Sequence, residues 1–184
     1  MACLCFVGFR VRCAIFRLDK EYYEQHWKRH HDTKESADKA RSLLSNCRYI
    51  EHEKVTVEGV TVFAAPAMPA KGAQWAWKRP EKELQEYWDT KFNLDDSPDI
   101  LLTHAPPYDI LDQNITGIKT GSRPLLSGLR RIKPKFCVFG HIHESYGVAV
   151  EPRSECVCIN ASSCTLLGKA RHAPIVFDVS RREA

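Results

Sequence analysis

The sequence predicts an α/β protein, a mixed β-sheet in layers with flanking helices. Three observations predict it. The runs 100–102 and 136–139 are short and apolar without alternation, the pattern of strands buried on both faces. Between them Ser122 and Pro124 open a helical pattern, Leu125, Leu126, Leu129 and Ile132 carry it, and Pro134 stops it. Further runs at 147–150, 155–159 and 174–179 read as three more strands. A strand joined through a helix to another strand is a right-handed crossover between parallel neighbours.

Taken in order, residues 1–18 are apolar and cysteine-rich, with three arginines and no Asp, Asn, Glu or His. An irregular N-terminal segment is expected at 1–18, with a short strand possible, and one domain at 19–180. A polar helix is expected at 19–31, capped by Asp19, and a second at 36–45. Residues 54–57 and 60–64 are β-branched runs joined by Glu58-Gly59, a two-residue hairpin turn. Residues 65–70 read as a loop, and Trp75 and Trp77 either line a pocket or cover the sheet, with core or lid packing preferred. A helix follows Pro80 through Thr90, burying Leu84, Tyr87 and Trp88, and a turn at 95–98 leads into the first apolar strand.

The 184 residues suffice for one domain with a core, and 43% hydrophobic composition excludes disorder as the default. A net charge of +4 permits an anionic substrate without indicating nucleic acid. Arg130, Arg131, Lys133 and Lys135 cluster near a helix C-terminus, where cations are favourable. The eight cysteines fall mostly in apolar runs and include no Cys-x-x-Cys pair, so buried free thiols are expected rather than a zinc finger. No run approaches the ~20 apolar residues of a membrane span. The expectation is a cytoplasmic protein with no membrane partner.

Chemistry is carried by histidines. The strand 100–102 leads to Thr103-His104-Ala105-Pro106-Pro107, and 136–139 leads to Gly140-His141-Ile142-His143-Glu144. If the strands are parallel, their carboxyl ends share one sheet edge, where ligands of such sheets bind. His104, His141 and His143 would converge there, and neutral imidazole is the commonest metal ligand. The long loop 105–121 carries Tyr108, Asp109, Asp112, Asn114 and Lys119. Lys119 and Arg123 either meet a phosphate near the helix start or are simply solvated. Asn160 orients a ligand or shapes a turn, with the turn preferred.

These two histidine motifs resemble the last two signatures of the calcineurin-like metallophosphoesterases. Asn160-Ala161-Ser162 and Ile132-Lys133-Pro134-Lys135 resemble the small metallophosphoesterase-domain proteins. The resemblance runs from His26 to Asp178 and is best from Asp99 to Ser162. It implies an αββα domain, present here as an incomplete carboxyl-terminal portion. It also implies two divalent ions (Mn, Fe or Zn), about 3.5–4 Å apart, that activate hydroxide against a phosphomonoester or phosphodiester. His104 and His141 would hold one ion and His143 the other.

The family's Asp-x-His, Gly-Asp and Gly-Asn-His motifs do not occur in the sequence. With them go the bridging Asp and the His that assists the leaving group. The resemblance therefore implies a phosphoesterase relative of impaired activity holding one ion or none. Two alternatives stand beside it: a catalytically inactive binding or regulatory relative or truncated product, and a mononuclear metal-binding protein using the three histidines.

Overall fold

The computed structural model describes Ser42, Ser45 and residues 48–70, 77–91 and 97–180. The segment 1–18, the expected helix 19–31, most of 36–45, Trp75 and the first half of the turn 95–98 lie outside the described residues. Among the described residues, eight named strands and two named α-helices follow in order: β1 (Glu53–Val57), β2 (Val60–Ala65), β3 (Met68–Pro69), β4 (Lys78–Arg79), α1 (Glu81–Lys91), β5 (Ile100–Thr103), α2 (Arg123–Ile132), β6 (Phe136–Phe139), β7 (Gly147–Val150) and β8 (Val157–Asn160). Six strands form one mixed sheet in the order β1-β2-β5-β6-β8-β7, and β3 and β4 form a separate parallel pair.

The centre of the sheet is parallel. β5 lies between β2 and β6, and β6 between β5 and β8, with Ile100 opposite Phe136 and Phe139 opposite Asn160. Both edges are antiparallel hairpins. In the β1–β2 turn Glu58 and Gly59 take positive φ of 49° and 81°, the backbone that a two-residue hairpin requires. The crossover from β5 to β6 runs through α2 as the sequence predicts. The Ser122 side chain accepts the Leu125 N–H at 3.1 Å, Pro124 sits in the first turn, and Lys133 ends the helix in the left-handed conformation.

The two faces of the sheet are covered differently. On one, Leu84 and Trp88 of α1 and Leu125, Leu129 and Ile132 of α2 pack with Phe63, Leu101, Cys137 and Cys158. On the other, Val55, Val62, Ile100, Val138 and Ile159 meet Ile175, Phe177 and Val179. This last contact corrects an expectation: residues 174–179 are not a strand. Their apolar residues alternate because one side lies on the sheet, with the Phe136 and Phe177 rings 4.5 Å apart. An alternating pattern reports a buried face and not ladder hydrogen bonds. A second correction is the loop 65–70, where β3 pairs with β4. Cys137, Cys156, Cys158 and Cys164 are buried free thiols.

The cations near the end of α2 are engaged within the fold. Arg130 pairs with buried Glu151 at 2.9 Å, Arg131 with Asp89 at 2.5 Å and Lys135 with buried Asp99 at 3.1 Å.

Candidate metal centre

His104 follows β5 and His141 follows β6, so parallel pairing sets both at one edge. Their ring centroids are 4.8 Å apart and tilted by 54°. Two imidazoles bound to a shared ion through nitrogens about 2.1 Å from it have centroids roughly 4.5–5.2 Å apart at ordinary bond angles. The observed spacing falls in that window. The two loops are also tied directly, since Gly140 N–H donates to His104 O at 3.2 Å.

His141 occupies an unusual backbone position. Its φ is 70°, and Ile142 N–H donates to Gly140 O at 2.8 Å across it. An i to i+2 bond around a residue of positive φ is the rarer, strained γ-turn. Such strain persists only where surrounding structure enforces it. Asn160 supplies part of that enforcement. Fully buried, it donates through Nδ2 to Ile142 O at 2.8 Å and Leu111 O at 3.2 Å, and its Oδ1 accepts the Ser162 N–H. Asn160 therefore shapes a turn, as preferred from sequence, and also braces the histidine loop.

His143 opens a single 3-10 turn, His143–Ser145. Its Nδ1 lies 3.0 Å from Thr165 O. A carbonyl only accepts, so this bond puts the proton on Nδ1 and the lone pair on Nε2, the arrangement that second-shell carbonyls impose on metal-binding histidines. Burial holds His104 well below the ordinary imidazole pKa, and the neighbouring His141 and His143 add to the effect. A neutral ring keeps the lone pair that a metal requires.

The donor set fits a divalent ion in part. Two imidazoles stand side by side, while no group of three or more His, Cys, Asp or Glu side chains is disposed for a metal among the described residues. The Ser162 hydroxyl is buried without a hydrogen-bond partner.

The loop 105–121 uses its polar residues on itself. Lys119 pairs with Asp109, and the Arg123 guanidinium stacks 3.6 Å over the Tyr108 ring. Asp112 is buried, and its Oδ2 accepts N–H groups from Asp109 and Gly121. Asn114 Oδ1 caps a turn by accepting from Thr116 and Ile118. Asp112 carried no signal in the sequence beyond its place in a long loop.

The paired imidazoles stand at the carboxyl edge of the parallel centre, where ligands of open α/β sheets bind. No family model matches the chain. It is 36% identical over 148 residues to metallophosphoesterase domain-containing protein 1 of Homo sapiens, covering 79% of this chain and 44% of that one; the Mus musculus protein matches equally. It is 33% identical over 141 residues to the UPF0046 protein K07C11.7 of Caenorhabditis elegans, covering 77% and 46%. The matched residues belong to the metallophosphoesterase family. The chain spans a little under half the length of these relatives. No described helix is long and apolar enough to cross a membrane.

Proposed function

We propose that this chain carries the histidine half of a metallophosphoesterase centre. In this reading it binds one divalent ion (Mn, Fe or Zn) weakly through His104 and His141, and it hydrolyses phosphoesters poorly or not at all by itself. His143 belongs to the second ion position. In the family the bound ions supply an activated hydroxide and neutralise phosphoryl charge. The residues here bind and orient: burial keeps His104 neutral, the γ-turn and Asn160 fix His141, and Thr165 O sets the tautomer of His143. The observation that carries the reading is the 4.8 Å spacing of the His104 and His141 rings.

Metal content of the purified chain, measured beside Mn²⁺-dependent hydrolysis of bis(4-nitrophenyl) phosphate, tests it. The expected result is one ion per chain, lost in His141→Ala, with hydrolysis at background. Two ions and turnover that depends on His104 would show an intact enzyme instead. No ion at all would leave a binding or regulatory relative. One observation favours that second reading, the lack of a gathered third donor among the described residues.

A further inference from the structure

Two tight loops stand at the rim that carries the histidines, and each ends in bare aliphatic side chains. The loop 113–119 is closed by the Gln113–Lys119 bridge and by Asn114 N–H donating to Ile118 O. It leaves Ile115 67% and Ile118 61% exposed. The loop 164–170 is closed by the Cys164–Ala170 bridge and by Thr165 N–H donating to Lys169 O. It leaves Leu166 51% and Leu167 81% exposed. Both loops are braced on the His143–Ser145 turn. Ile115 N–H donates to Glu144 Oε1, Ser145 Oγ donates to Gln113 O, and Thr165 O meets His143 Nδ1.

Stiff turns that hold four aliphatic side chains in water are costly unless something covers them. Charge indicates what covers these. Lys169 and Arg171 are exposed beside the Leu166-Leu167 tip, on a chain of net charge +4. Of the acidic groups at the rim, Asp109 is offset by Lys119, while Glu144 accepts the Ile115 N–H and keeps its charge, so Lys169 and Arg171 leave the tips cationic by one. Aliphatic tips flanked by cations suit the boundary between acyl chains and anionic headgroups, where the apolar part is buried and Lys and Arg meet negative charge.

We propose that the 113–119 and 164–170 loop tips form a membrane-contacting rim that takes an anionic lipid bilayer and turns the His104–His141 edge toward its headgroups. The expectation of no membrane partner rested on the lack of a spanning run, and lying on a bilayer requires none. This proposal stands apart from metal binding, so its test uses no added metal.

The experiment is co-sedimentation of the full chain with vesicles of phosphatidylcholine, alone or mixed with phosphatidylserine. The expected result is binding to the mixed vesicles and weaker binding to phosphatidylcholine alone. Leu167→Ser should weaken it about tenfold, and Lys169→Glu with Arg171→Glu should reduce it to the phosphatidylcholine level. All three side chains are exposed, so thermal unfolding of the variants should match the parent. Absence of vesicle binding, or binding unchanged by Leu167→Ser, overturns the proposal. A concentration-dependent dimer dissolved by Leu167→Ser also overturns it, by assigning the tips to a second copy of the chain.

Discussion

At Glu151 a carboxylate is shut away from water and kept charged. Arg130 Nε donates to its Oε1 at 2.9 Å with a terminal guanidinium nitrogen 2.9 Å from the same oxygen, and the Ser154 N–H and hydroxyl each donate to Oε2 at 2.7 Å. Burial pushes the carboxyl pKa up, but the bonds from Ser154 and Arg130 prevail and hold it below the usual value. A carboxyl depressed in the folded state stabilises fully above its unfolded pKa of about 4.3, and that contribution is lost as pH falls through the folded value. Urea unfolding across acidic pH should therefore show a loss of stability that Glu151→Gln shares only weakly. An identical pH dependence in that variant would contradict this account. Arg130→Ala should cost about 2–3 kcal/mol near neutral pH, below the about 3–5 of a fully enclosed pair because Arg130 is 35% exposed. No local pattern in the sequence signals this pair, since its partners are 21 residues apart. His104 and His141 were legible because each ends an apolar run abruptly.

Among the elements, the crossover from β5 to β6 decides where the histidines go. Its helix was legible in the cap, the early proline and the leucine spacing, all local signals. The loop ahead of it was not, because what holds it is a fit between distant backbone atoms. A Cβ on Gly121 would lie 2.4 Å from Pro107 O and 2.8 Å from Asp112 Oδ2. The first neighbour is backbone and has little room to give. Gly121→Ala should destabilise by about 2–3 kcal/mol, more than the about 1 kcal/mol expected for removing the Ser122 cap in Ser122→Ala. Urea midpoints of the two variants compare them directly, and a neutral Gly121→Ala would show that the loop shifts freely. The segment 174–179 was misread for a related reason: alternation in sequence fixes which side is buried, and pairing depends on an edge being open beside it.

At the scale of the molecule, among the described residues, α1 and α2 pack on one face of the sheet while residues 174–179 lie on the other. Among the described residues, the loops after β5, β6 and β8 form the carboxyl edge of the parallel centre. His104, His141 and Asn160 meet the same edge from residues far apart in sequence, which is how a buried brace such as Asn160 comes to act on Ile142. The β6–β8 neighbourhood could not be read from the chain order, because β7 intervenes between them and pairs at the sheet's outer side. The account rests on two imidazoles from successive parallel strands sharing one ion, and Zn²⁺ titration calorimetry of the chain with His104→Ala, His141→Ala and the double variant tests this most directly. Shared ligation predicts that either single substitution removes as much affinity as both together. Affinity losses that add, or binding indifferent to both positions, would contradict it.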